Sequence, residues 1–338
     1  MKLTTIENFA GLGVYVDDLD MYDMSVDEWK SLKEELYNKY LLIIFRNTNL
    51  KIDDLSTKIS QWGTSSFGLK NLLRPYNLSI KNIGAIKSNL EVPGFMGISK
   101  EDMVLIAHSL KQMSPYGKDA TVIKLVGSIV DDSKFLEGEL HWHQDEGMDV
   151  AFCDSIALFG SQSMTASATG FATTAGWFER QTESFKSELQ DMIVEHEFHE
   201  EDFSENMDPV ELDIVRCSTG FDSKLPLVIN SRGGFTGLHI PPNTATKIVG
   251  MSQNQSDALL TKIKNEILSA ENVYDHWYQQ DNDLLIFDNS ITMHRRLGST
   301  FNRIAYRVPF DMSDPVASRY TQPEFQQLYK DVLTLFSR

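Results

Sequence analysis

Three residues of the sequence have side chains and spacing that suit a metal centre. His143 and Asp145 are separated by one residue, and His294 lies far along the chain, just after the apolar run 283–287. In a β-strand alternate side chains share a face, so His143, Asp145 and also His141 could point the same way. Two imidazoles and one carboxylate can occupy one face of an octahedral Fe(II) ion and leave three positions open for oxygen chemistry. The alternative is a strand-end histidine and aspartate that only form hydrogen bonds.

Two arginines follow His294 at a spacing that suits anion binding. Arg303 and Arg307 are four residues apart. In a strand, both side chains would lie on one face and could enter one cavity. A guanidinium is planar and permanently charged, so it pairs with a dicarboxylate better than a lysine ammonium does. The alternative is a solvent-facing strand edge that carries two charges.

The first part of the chain predicts a helix followed by a strand. Ser25 and Glu28 have the spacing of a capping box, and apolar residues follow at helical intervals. The short, wholly apolar run 41–45 is typical of a strand that is covered on both faces. Residues 51–62 predict a second helix, and residues 99–113 predict a third.

From residue 120 onward the sequence is dominated by short β-rich runs, with helical stretches at 182–194 and 255–268. Strands of irregular spacing with long insertions favour an α+β fold. Its core would be a double-stranded β-helix, or jelly roll, with flanking helices. The β-rich runs are 121–126, 150–159, 227–230, 237–240 and 283–287.

The whole chain, 1–338, predicts a single domain, because no Pro- and Gly-rich linker divides it. A chain of this length can bury roughly three quarters of its unfolded surface, so it needs neither a disulfide nor a metal merely to fold. Within the domain we expect an N-terminal helix and strand extension (1–118), the jelly-roll core (119–312) and a C-terminal helical tail (313–338).

Five segments of the chain, taken in order, carry a family resemblance. Residues 139–145 are similar to a Trp-His-x-Asp metal motif, and residues 283–294 are similar to a segment in which an apolar strand leads through Asp-Asn to a histidine. The other three segments are 11–19, 40–46 and 225–251. Together they resemble the taurine dioxygenase (TauD/TfdA) family of Fe(II)/2-oxoglutarate-dependent oxygenases over most of the chain.

For the metal, the resemblance implies that His143, Asp145 and His294 bind Fe(II). The implied reaction consumes 2-oxoglutarate and O₂, releases succinate and CO₂, and hydroxylates a small molecule that is often anionic or zwitterionic. Related halogenases lack a carboxylate at the position of Asp145, so its presence favours oxygenation over halogenation. His141 would lie in the second shell or in solvent, and Trp142 would pack beside the metal.

For the co-substrate, the resemblance implies that Arg303 holds the distal carboxylate of 2-oxoglutarate. The sequence Gly-Phe-Ala-Thr, ending at Thr173, stands where the family has Gly-Gly-Asp-Thr, whose threonine helps to bind that carboxylate. Arg307 would lie near the substrate or near the C1 carboxylate of 2-oxoglutarate.

Two other classes of function stay open at this stage. A cupin-like metal-binding isomerase would use His141 and His143 with a glutamate three or four residues further on, but Glu146 follows too closely. The second alternative is a catalytically silent jelly roll that serves in interactions. Production of succinate would separate the oxygenase from both.

The remaining motifs favour structural roles. His196 and His199, set among acidic residues, predict a solvated surface and do not have the spacing of a zincin site. The segment 231–234 is Gly-rich but lacks the Lys-Ser/Thr of a phosphate loop, so it predicts a turn. Arg295 and Arg296 would more often form surface ion pairs than contact a substrate.

The charge balance and the cysteine content narrow the partners and the compartment. The chain has 31 Lys and Arg against 48 Asp and Glu, a net charge of −17, which repels phosphate backbones and anionic membranes. Cys153 and Cys217 form no disulfide framework, so we expect a cytoplasmic protein. The expected partner is a small-molecule substrate, with neither nucleic acid nor membrane, and a homo-oligomer is left open.

Overall fold

The computed structural model describes residues 1–65, 124–125, 138–145, 153–197, 223–299 and 301–312. Three sequence predictions lie outside these residues: the helix at 99–113, the C-terminal tail at 313–338 and the boundary between 118 and 119. His199 and Cys217 lie outside them as well.

The larger of the two main sheets joins the N-terminal strands to the core. In spatial order its strands are β1 (Lys2–Ile6), β2 (Gly13–Asp17), β3 (Leu42–Phe45), β15 (Asp283–Asp288), β7 (Ser155–Gln162), β17 (Ile304–Asp311) and β4 (Thr64–Ser65), and β5 (Lys124–Leu125) also pairs with β17. Only β2 and β3 pair in parallel among these strands of the described chain. All four residues of β3 are buried, which confirms the strand predicted at 41–45. Because β3 pairs with β15, this part of the predicted N-terminal extension belongs to the core sheet.

The second main sheet is antiparallel and faces the first. Its strands, in spatial order, are β14 (Val273–Trp277), β8 (Ser167–Thr173), β16 (Thr292–Gly298) and β6 (Leu140–His143). The rings of Phe171 in β8 and Phe287 in β15 meet edge to face, with centroids 5.0 Å apart, in a buried apolar cluster between the two sheets. Burial of each such side chain contributes about 1.5–3 kcal/mol. Two facing sheets are the arrangement expected of the predicted jelly roll.

Two small sheets and five α-helices complete the described part of the chain. The small sheets are β10 (Ser223–Pro226), β9 (Ile193–His196) and β13 (Ala245–Ile248) in one, and β11 (Val228–Asn230) with β12 (Thr236–Leu238) in the other. The helices are α1 (Val26–Leu36), α2 (Ile52–Ser60), α3 (Thr174–Glu179), α4 (Glu183–Gln190) and α5 (Gln253–Ile267). None of these described helices is both long enough and apolar enough to cross a membrane.

Helix α1 begins where its sequence predicts. The Ser25 hydroxyl accepts a hydrogen bond from the amide of Glu28, and the Glu28 carboxylate accepts from the amide of Ser25, so the predicted capping box is confirmed. On the buried face of α1, Trp29 stacks on Trp62 with ring centroids 4.4 Å apart. The indole N–H of Trp62 donates to the carbonyl of Trp29, so the ring pair also ties α1 to the end of α2.

The Gly-rich segment 231–234 forms the predicted turn. Gly233 and Gly234 both have positive φ, at 69° and 83°, which glycine adopts without steric cost. A side chain on Gly233 would also place its Cβ 2.6 Å from the carbonyl oxygen of Tyr37. The turn brings Arg232, which the sequence did not single out, into the interior with only 2% of its surface exposed.

Candidate active site

Strand pairing in the second sheet brings the three predicted metal ligands together. Strands β6 and β16 are antiparallel neighbours, and His294 lies directly opposite His143 in their register. Asp145 follows the end of β6 by two residues. One donor atom from each of the three side chains lies within 4.8 Å of the others. The site therefore combines a His-x-Asp segment with a histidine from the adjacent strand.

The three side chains face a common point. The Nε2 atom of His143 lies 3.8 Å from Oδ1 of Asp145, and Nε2 of His294 lies 3.7 Å from Oδ2 of Asp145. These separations exceed the length of a hydrogen bond. The two imidazole rings have their centroids 4.2 Å apart. Two nitrogen donors and one carboxylate arranged in this way can hold a divalent transition metal.

The protonation of both histidines suits metal binding. The Nδ1 atom of His143 lies 2.7 Å from the main-chain carbonyl oxygen of His141. A carbonyl oxygen only accepts, so Nδ1 carries the hydrogen and Nε2 keeps its lone pair for the site. Burial lowers the pKa of His143, and burial with the nearby His143 lowers the pKa of His294 to about 3. Both imidazoles are therefore neutral near pH 7, as ligands must be.

The residues next to the ligands contribute in different ways. The side chain of His141 is exposed, and it is the backbone carbonyl of this residue that orients His143. Trp142 is half-buried, and the guanidinium of Arg295 lies over its ring, 4.4 Å from the centroid. Arg295 also forms an ion pair with Asp275 at 2.9 Å.

A glycine makes room for the ion pair between Arg295 and Asp275. The three residues Arg295, Gly170 and Asp275 stand side by side in register across β16, β8 and β14. A Cβ on Gly170 would lie 2.3 Å from the Asp275 carboxylate and 2.8 Å from the Arg295 side chain. The ion pair predicted for Arg295 is therefore present. It passes over β8 at Gly170, where any side chain would collide with it.

A cavity between the two sheets contains the ligands and both predicted arginines. Arg303 lies just before β17 with 2% of its surface exposed, and Arg307 lies within that strand. Among the described residues, Nε and one terminal nitrogen of the Arg303 guanidinium have no hydrogen-bond partner. Arg307 lies 3.1 Å from Oδ2 of Asp145. The other residues that line the cavity are Leu140, Ile156, Leu158, Thr169, Phe287, Arg295 and Arg296.

Thr173, predicted to contact 2-oxoglutarate, is not among the described residues that line the cavity. It ends β8 and is the N-cap of α3, where its hydroxyl accepts a hydrogen bond from the amide of Gly176. The threonine of β8 that lines the cavity is Thr169, four residues earlier. Both threonines lie on the same face of β8, because their positions differ by four, an even number. Strand periodicity alone therefore could not decide between them.

The predicted solvated surface around His196 is wrong for that residue. His196 has no exposed surface, its Nδ1 lies 3.1 Å from the hydroxyl of Thr244, and its ring centroid lies 5.4 Å from that of His239. Burial lowers the pKa of His196 well below its usual value, so the ring is neutral. Neighbouring acidic residues in the sequence concealed this, because the alternate positions of β9 face inward.

Comparison with known proteins places these features in a family. Residues 13–308 match the model of the family described as taurine catabolism dioxygenase TauD, TfdA family. The chain belongs to this TauD/TfdA family and is an Fe(II)/2-oxoglutarate-dependent dioxygenase, an oxidoreductase, as the sequence predicted. Enzymes of the family use Fe(II), 2-oxoglutarate and O₂. No curated protein matches the chain by sequence.

Solved structures of similar fold span nearly the whole chain. AAD-2 in complex with Mn(II) and N-oxalylglycine has a TM-score of 0.59 and 16% identity, covering 93% of this chain and 99% of its own. A taurine dioxygenase from Burkholderia xenovorans has a TM-score of 0.57 and 14% identity, covering 91% of this chain and 90% of its own. At this identity the similarity concerns the fold, and it confirms the predicted jelly-roll core.

Proposed function

We propose that this dioxygenase binds Fe(II) through His143, Asp145 and His294 and oxidises a small anionic or zwitterionic molecule in the cavity between its sheets. When bound, Fe(II) and 2-oxoglutarate supply the oxidising chemistry, in which O₂ is consumed and succinate and CO₂ are released. The protein supplies the binding geometry, the charges and a site shielded from water. The observation that carries the proposal is the convergence of the three ligands and the unsatisfied guanidinium of Arg303 on one cavity.

Arg303 is suited to hold the distal carboxylate of 2-oxoglutarate. None of the ion pairs among the described residues involves Arg303, although it is 2% exposed and its guanidinium is permanently charged. A buried charge without a partner is costly, and a carboxylate that forms two parallel hydrogen bonds would remove that cost. The buried, unsatisfied N–H groups therefore fit a carboxylate ligand.

Thr169 is the second candidate for this carboxylate. It is 3% exposed, lines the cavity, and its hydroxyl lies 3.0 Å from the hydroxyl of Tyr278. Burial raises the pKa of Tyr278 to about 12, so its hydroxyl stays protonated near pH 7. With Tyr278 donating to Thr169, the Thr169 hydroxyl can direct its own hydrogen towards an anion. Thr173, whose hydroxyl accepts from the amide of Gly176, is not among the described residues that line the cavity.

The charges of the cavity favour an anionic substrate. Among the described residues that line it, four are arginines, of which Arg295 is neutralised by Asp275, and Asp145 is the only acidic one. Positive lining contrasts with the net charge of −17 for the whole chain, and short-range charges in a low-dielectric cavity outweigh distant, screened ones. We place Arg307, beside Asp145, next to the substrate or the C1 carboxylate of 2-oxoglutarate.

The direct test is anaerobic binding followed by turnover. Fe(II) and 2-oxoglutarate added to the protein should give the weak metal-to-ligand charge-transfer band of a chelated 2-oxo acid, and O₂ with a panel of small acids should release succinate. Asp145→Ala should abolish the band and the turnover. Asp17→Ala, which removes a carboxylate paired with Arg46 in the N-terminal strands, is the matched control and should retain both.

The two other classes of function predict different results. A cupin-like isomerase would bind metal without binding 2-oxoglutarate, and the exposure of His141 argues against its ligand set. A catalytically silent jelly roll would bind neither, and Asp145→Ala would then change nothing. The cytoplasmic location and the oligomeric state stay predictions.

A further inference from the structure

The side chain of Asn289 is bonded to the backbone on both sides of Asp145. Its Oδ1 accepts a hydrogen bond from the amide of Asp145 at 3.0 Å, and its Nδ2 donates to the carbonyl of Asp145 at 2.8 Å. Nδ2 also donates to the carbonyl of Cys153 at 3.1 Å. Asn289 is 1% exposed, so water does not compete for these bonds. Because both the donor and the acceptor ends are used, the amide can take only one orientation.

Gln144, which lies between the two ligands His143 and Asp145, completes a reciprocal contact. Its Nε2 donates to the carbonyl of Asn289 at 3.0 Å and to the carbonyl of Ser290 at 2.6 Å. Gln144 is 3% exposed. An amide from each segment therefore bonds the backbone of the other, and together the two side chains form a cross-brace between the segment of His143 and Asp145 and the turn that leads to His294.

The turn that carries Asn289 is itself fixed. Oδ1 of Asp288 accepts hydrogen bonds from the amides of Ser290 at 2.7 Å and of Ile291 at 3.0 Å. The amide of Asn289 donates to the carbonyl of Asp154 at 2.8 Å. The cross-brace is thus anchored to rigid backbone on the side of β15 and β16. The segment of Asp145 lies beyond the last residue of β6, where no strand pairing holds it in the described structure.

We propose that Asn289 and Gln144 are positioning residues that set the geometry of the metal centre through the backbone of Asp145. The inference rests on the proposed function, because it assumes that His143, Asp145 and His294 bind the metal. Neither amide contacts the donor atoms of the three ligands. Their effect is to hold the carboxylate of Asp145 at a fixed position relative to His294, so that the metal binds without first ordering the segment.

The test is metal affinity measured apart from turnover, with Mn²⁺ alone as the probe. Asn289→Ala should weaken Mn²⁺ binding by roughly 10- to 100-fold, the usual loss when a group that orients a ligand is removed. The bound Mn²⁺ should also give a broader electron paramagnetic resonance signal, because Asp145 samples more positions. A loss of stability alone would change neither quantity.

Asn272→Ala is the matched control. Asn272 has no exposed surface, and its amide likewise bonds on both sides: Oδ1 accepts from Arg180, and Nδ2 donates to the carbonyl of Glu266. It lies before β14, away from the ligands. This variant should lose thermal stability to a similar extent and keep the Mn²⁺ affinity of the wild type. If Asn289→Ala also keeps that affinity, the cross-brace is only structural and the inference is wrong.

A second variant covers the case in which Asn289→Ala does not fold. Gln144→Met keeps the volume of the side chain and removes two hydrogen bonds, and it should weaken Mn²⁺ binding by a smaller factor, roughly 3- to 10-fold. Unchanged binding here would equally overturn the inference. Failure of the proposed function has a different signature: wild-type protein and Asp145→Ala would then bind Mn²⁺ equally.

Discussion

Two arginines are buried to the same extent in this protein and have opposite surroundings. Arg232 and Arg303 are each 2% exposed. The guanidinium of Arg232 donates to the carbonyls of Tyr37 at 3.4 Å and Leu41 at 3.3 Å, and its Nε lies 3.7 Å from the carboxylate of Asp288. In the described part of the chain, Arg303 forms no ion pair, and two nitrogens of its guanidinium have no hydrogen-bond partner, whereas Arg232 lacks a partner only at the Nε that faces Asp288.

The difference shows how a structural charge can be told from a binding charge. Burial lowers the pKa of both arginines. For Arg232 the negative charges of Asp288 and Asp154 oppose that shift, whereas for Arg303 only Tyr278 opposes it among the residues that the structure describes. A protein that keeps an uncompensated cation in its interior gains nothing in stability from it. The cation is useful only if an anion from outside the chain completes the pair, and the cavity around Arg303 supplies the space for one.

The largest effect is expected for Arg232, whose replacement should destabilise the fold. Arg232→Ala leaves the buried carboxylate of Asp288 without its counter-charge, and it should lower the free energy of unfolding by about 3–5 kcal/mol, as measured by urea denaturation. Lys262→Ala is the control, because it removes an exposed ion pair with Glu266 and should cost less than about 1 kcal/mol. A small loss for Arg232→Ala would erase the distinction between the two arginines.

Arg303→Ala should change binding and leave stability nearly intact. Loss of a charge-assisted pair costs on the order of 2–5 kcal/mol, so the affinity for 2-oxoglutarate should fall by about 30-fold to several thousand-fold. Arg303→Lys keeps the charge but loses the planar guanidinium, so its affinity for 2-oxoglutarate should lie between those of the wild type and Arg303→Ala. The measurement is a titration of 2-oxoglutarate into the Fe(II) protein under anaerobic conditions. Arg307→Ala should weaken binding of the primary substrate more than binding of 2-oxoglutarate. If Arg307→Ala weakens 2-oxoglutarate binding and Arg303→Ala does not, Arg307 is the residue that binds the distal carboxylate, and the assignment of Arg303 is wrong.

Arg303 should account for most of the stabilisation that a bound dicarboxylate gives the protein. At a concentration 100 times its dissociation constant, a ligand that binds only the folded state adds about 2.7 kcal/mol to the free energy of unfolding. With Mn²⁺ present, 2-oxoglutarate or N-oxalylglycine should therefore raise the melting temperature of the wild type. Because the affinity of Arg303→Ala falls at least 30-fold, the same concentration should add less than about 0.9 kcal/mol to the free energy of unfolding of this variant. An equal rise in both proteins would place the dicarboxylate elsewhere.

Substitution of the two threonines of β8 should give the smallest effects. One substitution should change the affinity for 2-oxoglutarate, and the other should change the stability. Thr169→Val removes a hydroxyl from the cavity and should weaken 2-oxoglutarate by about 1.5 kcal/mol, roughly tenfold. Thr173→Val removes the cap of α3 and should cost about 1 kcal/mol of stability without a change in that affinity. Paired measurements of affinity and melting temperature on the two variants check this. The reverse result would restore Thr173 as the co-substrate residue.

Local patterns in the sequence predicted much of the fold and the metal site. The capping box at Ser25, the buried strand β3 and the turn at 231–234 each depend on a few adjacent residues, and each appears in the structure. His143 and Asp145 share a segment, and His294 follows an apolar strand, so periodicity and residue type marked them as candidates, and the family resemblance then implied that they are the ligands.

Features that depend on non-local contacts escaped the sequence. Thr169 and Thr173 lie on the same face of β8, and only the position of the opposing sheet decides which of them lines the cavity. Arg232 looked like part of a turn because its acceptors come from residues 37, 41 and 288. The bonds of Asn289 likewise reach across about 150 residues of chain, beyond any local pattern.

The register that sets His294 opposite His143 also decides when the metal can bind during folding. About 150 residues separate these two strands, and closing so long a loop comes late, after local structure has formed. A chain still being synthesised therefore has no complete ligand set until β16 has left the ribosome and docked on β6. If these two strands pair after the rate-limiting step of folding, the metal contacts are absent from the transition state. Bound metal should then slow unfolding and leave the rate of folding almost unchanged.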